Sequence, residues 1–194
     1  IRDRAVSRGL GDVYKRQVWN GSTSTPWSGT INSYAFADCT NLNSVTLVGS
    51  IKTIEDYAFS GCTSLKELTI PEGVTSLGGH IIAGTGISSI TIPSTIQYSD
   101  TVYVNGGWNG ALAGCSSLTE VIFAPGTTII PNNICTSPTE HSNIQTVTIP
   151  DSVGTIGNNA FYKCVSLKGG INIPRATKSI GSSAFQGCIN ITSI

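Results

Sequence analysis

Tyr57-Ala58-Phe59-Ser60-Gly61-Cys62-Thr63-Ser64-Leu65-Lys66-Glu67-Leu68-Thr69-Ile70-Pro71 is a phrase that the chain repeats with drift. It returns as Tyr34-Ala35-Phe36-Ala37-Asp38-Cys39-Thr40-Asn41-Leu42, as Asn159-Ala160-Phe161-Tyr162-Lys163-Cys164-Val165-Ser166-Leu167, and as Ser183-Ala184-Phe185-Gln186-Gly187-Cys188-Ile189-Asn190-Ile191. A unit this short cannot bury its own apolar face, so the copies must stack and share one core. The chain therefore reads as a solenoid, a shape suited to presenting a long surface to a partner.

Two signals alternate within each copy. The first is a strand, Leu-x-x-Leu-x-Ile-Pro, seen in Leu65/Leu68/Ile70/Pro71, Ile87/Ile90/Ile92/Pro93, Leu118/Val121/Phe123 and Ile144/Val147/Ile149/Pro150. The last apolar residues of the complete copies, at 47, 70, 92, 123, 149 and 173, stand 23, 22, 31, 26 and 24 residues apart. Proline after the strand ends the ladder, having no N–H to give. The second signal is a return path, Val-x-x-Ile-Gly-x-x-Ala-Phe, as in Val153 to Phe161. Its Val and Ile point inward, its Gly is expected to take a positive φ, and Ala-Phe is expected to form a short helical or 3₁₀ turn.

Composition supports strands and turns over helices: 11% of the residues are charged, and Gly alone accounts for 22 of 194. Five of the eleven basic residues (Arg2, Arg4, Arg8, Lys15, Arg16) lie in the first 17 positions, opposed by Asp3 and Asp12; six basic and nine acidic residues remain, a net charge of −3. That sign argues against a nucleic-acid partner. No run of about 20 apolar residues marks a membrane span. Residues 1–17 match nothing downstream and read as a non-native or disordered leader, with a basic arm as the alternative. Residues 18–30 read as a lead-in or cap, and 31–194 as the array. The absence of Met and the stop in mid-repeat suggest a fragment truncated at its C-terminus.

Ala-Phe-x-Gly-Cys-x-x-Leu-x-x-Leu-x-Ile-Pro, recurring at this period, resembles the BspA-like leucine-rich repeats of bacterial surface proteins. The resemblance covers about residues 31–194. It implies a curved solenoid outside the cell with adhesive or host-interaction roles, and no enzyme. The fold class expected is an α/β, β-rich, right-handed leucine-rich-repeat solenoid of about seven coils with one parallel sheet. The chain departs from the better-known leucine-rich pattern in having no Asn ladder after the strand.

No catalytic residue, metal ligand or cofactor is expected. Cys39, Cys62, Cys115, Cys164 and Cys188 share one repeat position, each alone in its copy, and read as inert core thiols in preference to a metal ladder or disulfide framework. Cys135 falls off the pattern and is the one to test for reactivity. His80 and His141 have no partners at ligand spacing. Glu55 and Asp56 read as a solvated turn, since adjacent side chains of an extended segment face apart.

Two surfaces remain as binding candidates. With period two, Ser44, Glu67, Ser89, Glu120 and Thr146 form one column of the sheet's polar face, and Thr46, Thr69, Thr91, Ile122 and Thr148 form another. A Thr column also suits a merely solvated strand, which leaves Ile122 as the residue out of place. The second surface is an insertion in the fourth copy, Tyr98 to Gly110, carrying Tyr98, Tyr103 and Trp108. Such aromatics stack on sugars or anchor proteins, or else fold on themselves. Three readings stay open: a module binding extracellular or host protein, a carbohydrate-binding domain, or a rigid spacer, each in a secreted or surface protein. Oligomeric state is not legible.

Overall fold

The computed structural model describes residues 17–18, 29–137 and 142–194. Trp19, Trp27 and His141 lie outside them, as does most of the expected cap. The described residues wind into a β-solenoid of about seven coils. Strand β1 (Gln17–Val18) precedes the first coil, which carries β2 (Thr30–Ile31) and β3 (Val45–Thr46). The second coil has β4 (Thr53–Ile54), and the third β5 (Ser76–Leu77) and β6 (Ser89–Ile92). The fourth holds β7 (Tyr98–Ser99), β8 (Val102–Val104), β9 (Gly107–Asn109) and β10 (Glu120–Phe123). The fifth has β11 (Ile129–Ile130) and β12 (Thr146–Thr148), the sixth β13 (Thr155–Ile156) and β14 (Lys168–Gly170), and the seventh β15 (Ser179–Ile180) and β16 (Asn190–Ser193).

Parallel pairing occurs on two sides of the solenoid, where one sheet was expected. On the strand side, β6, β10 and β12 form one ladder, and β1–β3 and β14–β16 form two more. On the return side, β2, β4, β5 and β7 form one ladder and β11, β13 and β15 another. The return strands are only two residues long, which is why their alternation was not visible in the sequence. The pair β1–β3 also places Gln17 and Val18 in register with Val45 and Thr46, across the expected boundary between leader and lead-in.

No helix occurs among the described residues, so the α/β label gives way to an all-β one. The Ala-Phe segment shows why. Tyr57 (φ 57°) and Gly61 (φ 74°) are both left-handed, and two such residues four apart cannot sit in one right-handed turn of helix. What forms instead is a chain of separate turns, with Ser60 N–H donating to Tyr57 C=O, Cys62 to Phe59 and Leu65 to Cys62. The same left-handed position recurs at Tyr34, His80, Asn133, Asn159 and Ser183. Positive φ thus falls two residues before the Phe, not at the Gly of Ile-Gly. That Gly has a different cause: a Cβ on Gly157 or Gly181 would lie 2.5 Å from the backbone nitrogen of Asn132 or Asn158 in the coil before.

The core is one continuous stack. Phe59, Phe123 and Phe161 are fully buried, with Phe36 stacked on Phe59 and Phe161 on Phe185 at ring separations of 5.1 Å. Each fully buried aromatic ring contributes about 1.5–3 kcal/mol through burial alone. A series of side-chain oxygens also joins the coils, at a place the sequence reading did not anticipate. Asp56 Oδ1 accepts from Gly79 N–H (2.7 Å), Asn132 Oδ1 from Asn158 N–H (2.7 Å) and Asn158 Oδ1 from Ser182 N–H (2.8 Å). Gly157→Ala should lower unfolding free energy in denaturant titration by about 1–3 kcal/mol through overpacking, whereas Gly154→Ala, whose nearest neighbour would be 3.7 Å away, should be close to neutral.

Candidate functional site

The strand face is best ordered across the third, fourth and fifth coils. There Glu120 is in register with Ser89 and Thr146, and Ile122 with Thr91 and Thr148, so both expected columns form. The alternation arises from period two: Val121 and Phe123 are buried, Ser89, Thr91, Thr146 and Thr148 are exposed, and Glu120 and Ile122 are partly covered. Ser89 Oγ donates to Glu120 Oε2 at 2.8 Å, which fixes the carboxylate along the column. In the second coil Glu67 and Thr69 are exposed between buried Leu65, Leu68 and Ile70, though no ladder forms there. Thr46 is exposed and Ser44 partly buried. In the sixth coil β14 pairs with β16 through a register shift at Gly169/Gly170, so the columns end in an irregular step.

The insertion divides in two. Tyr98 belongs to the regular return ladder, in register with Ser76, and only 102–109 forms a hairpin. Its turn is Asn105-Gly106, with φ of 50° and 86°, the left-handed pair that a two-residue hairpin needs. Tyr103 and Trp108 are cross-strand partners whose rings meet edge to face at 5.1 Å, and each is 59% exposed. The base of the hairpin is fixed. Asn109 is fully buried and its Nδ2 donates to Gly107 C=O (3.1 Å), while Val102 and Asn109 press on Gly79 so closely that no Cβ would fit there. The Asn-Gly signal was present in the sequence and would have set these bounds.

The thiols line the core. Cys62 Sγ donates to Phe36 C=O (3.1 Å), Cys164 Sγ to Cys135 C=O (3.4 Å) and Cys188 Sγ to Phe161 C=O (3.0 Å), each bridging to the preceding coil. Cys135 is not a reactive outlier. Its N–H donates to Ala160 C=O as that of Phe59 does to Ile81 C=O, so it fills the Phe position of its coil, fully buried. Burial pushes the Cys135 thiol well up, and burial with the neighbouring Cys39 pushes Cys62 up to about 12. All six cysteines are free.

Tyr34, Tyr57 and His80 stack in a file at 4.9 and 5.0 Å, a column that the sequence reading missed because its members are chemically unlike. Glu55 and Asp56 turn to opposite neighbours, Glu55 Oε2 accepting from Ser33 N–H and Oγ and Asp56 from Gly79, so they are no acid pair. Among the described residues no cluster of three or more His, Cys, Asp or Glu is placed to hold a metal, and no helix could cross a membrane.

Residues 29–168 and 139–194 match the family model described as a BspA type leucine-rich repeat region, in six copies. The chain belongs to the BspA-type leucine-rich repeat family. Two of the matching solved structures share the fold at a TM-score above 0.5, and a third is reported for its sequence identity alone. A leucine-rich cell surface protein from Faecalibacterium prausnitzii A2-165 is 26% identical over 92% of this chain and 47% of its own, with a TM-score of 0.55. A leucine-rich repeat protein of T. pallidum is 23% identical over 84% of this chain and 71% of its own, at 0.61. One from Bacteroides ovatus ATCC 8483 is 26% identical over 83% and 50%, at 0.44. The chain thus spans about half the length of the F. prausnitzii and B. ovatus proteins. No curated protein matches it in sequence.

Raised folded pKa values mean that the buried thiols stabilise this BspA-type array below their free value of 9.0 and lose that contribution as pH climbs toward 12. Alkylation at neutral pH without reductant should spare Cys62, Cys135 and Cys164, which are fully buried, in the folded chain and label all six cysteines once it is denatured. Fewer than six labels by intact mass would reveal a disulfide.

Proposed function

We propose that the chain is a non-catalytic binding module whose strand face engages an extracellular or host protein, within a secreted or surface-anchored bacterial protein. The observation that carries this reading is the in-register polar face around Glu120 and Ile122, where one aliphatic side chain interrupts a Thr column and an oriented carboxylate stands beside it. A central apolar anchor with a polar surround is the arrangement that protein interfaces use for most of their binding energy. The family and the cell-surface relative support an adhesive role outside the cell. The array's net negative charge disfavours phosphate backbones.

A second reading has its own support. The fixed hairpin holds Tyr103 and Trp108 in water with their mobility already spent, which suits stacking on a sugar ring. The two readings separate by mutation. In retention on host-cell surface protein, Ile122→Ala with Glu120→Ala and Glu67→Ala should weaken binding at least about tenfold, the scale of a lost hot spot, while Tyr103→Ala with Trp108→Ala leaves it unchanged. Retention on a glycan array lost only in the hairpin variant would establish the carbohydrate reading instead. No retention of the parent chain in either format would leave a spacer.

A further inference from the structure

Every described return-side step but one is closed by backbone hydrogen bonds. Thr75 and Ser76 N–H donate to Lys52 C=O and Gly78 to Ile54; Gln97 and Tyr98 donate to Thr75 and Asp100 to Leu77; Gly154 and Thr155 donate to Thr128 and Gly157 to Ile130. Between the fourth and fifth coils the series stops. β7 ends one ladder, β11 begins the next, and no hydrogen bond joins them. The residues explain the gap. Pro131 stands where Gly78, Asp100 and Gly157 stand in their own coils, and it has no N–H to give to Ser99 C=O. Ser99 in turn occupies the inward position held by Ile31, Ile54, Leu77, Ile130 and Ile156, and its hydroxyl is buried without a hydrogen-bond partner among the described residues. That site lacks both an aliphatic stack and a ladder, and the unmet hydroxyl weakens it further.

The opposite side is continuous at the same step. β10 pairs with β12 through Glu120–Thr146, Val121–Val147 and Ile122–Thr148, and β6 extends that ladder across the third coil. The turn adds Gly110 N–H to Thr136 C=O and Leu112 N–H to Ile134 C=O. A step joined along the strand side and the turn but unbonded along the return side can open there while the rest holds, as a hinge does.

We propose that the step between the fourth and fifth coils is a hinge on which the first four coils and the last three rotate as two blocks. The pivot is the β10–β12 pair, which puts Glu120 and Ile122 on its axis. Rotation there changes the angle between the two halves of the strand face, so one array can fit partners of differing curvature while its ladders stay intact. The hinge stands whether the ligand on that face is a protein or not, since it rests on backbone pairing alone.

Pulsed electron–electron spin distances test it, with ketone-directed labels that leave the six thiols untouched. A pair at positions 52 and 178 spans the step, and a pair at 52 and 97 lies within one block; Lys52, Lys178 and Gln97 are all exposed. The spanning pair should give the broader distance distribution. Ser99→Ile with Pro131→Gly, which restores the aliphatic and the N–H, should narrow it to the width of the within-block pair. A spanning distribution no broader than the within-block one in the parent chain overturns the proposal, as does a broad one that the folded double variant leaves unchanged. Should the double variant fail to fold, the parent comparison alone decides.

Discussion

Each coil of this chain owes its place to the backbone hydrogen bonds that it makes with its neighbours, donating to the coil before it on the return side and to the coil after it at the turn. A loop of 22 to 31 residues cannot close a core of its own, so the apolar stripe, the thiols and the aromatic rings become stable only when the next coil arrives in register. That constraint decides the rest. It requires the Gly of Ile-Gly wherever two backbones come close, as at Gly157 beside Asn132. It requires left-handed residues to swing the chain round the corner, and it uses Asp56, Asn132 and Asn158 as side-chain rungs where backbone rungs run out. It also explains why the small thiol recurs: Cys fits the stack and reaches back to the carbonyl of the previous coil.

The architecture was legible in the sequence because period and burial are one-dimensional facts. Leu65, Leu68 and Ile70 announce an inward face by spacing alone, and Glu120 with Ile122 announces the outward one. What stayed hidden depends on partners in other coils. Tyr57, Asn159 and Ser183 share a left-handed conformation that their side chains do not advertise. Cys135 looked displaced because its repeat had drifted; its backbone pairing shows it standing in for Phe. The two-residue return strands were too short to show alternation, so a second side of pairing was missed. Tyr98 was joined to the wrong unit, although Asn105-Gly106 marked the true hairpin.

The repeat is broken most in one place. The fourth coil gathers four departures: the aliphatic Ile122 in a Thr column, the aromatic hairpin, Ser99 at a core position, and an unclosed step to the fifth coil. The first two alter the exposed surface, and the last two alter the pairing beneath it. The repeats on either side keep the consensus and serve as the frame.

Coil-to-coil backbone pairing holds the fold and is missing along the return side at one step. Residue-resolved amide hydrogen exchange on the native chain tests this most directly. Slow exchange is expected at Gly78, Asp100 and Gly157, which donate across closed steps, with Thr128 and Ile129 exchanging about tenfold faster or more, as locally open amides do. Equal protection at all of these amides, or slow exchange at Thr128 and Ile129 with fast exchange at Gly157, would contradict it.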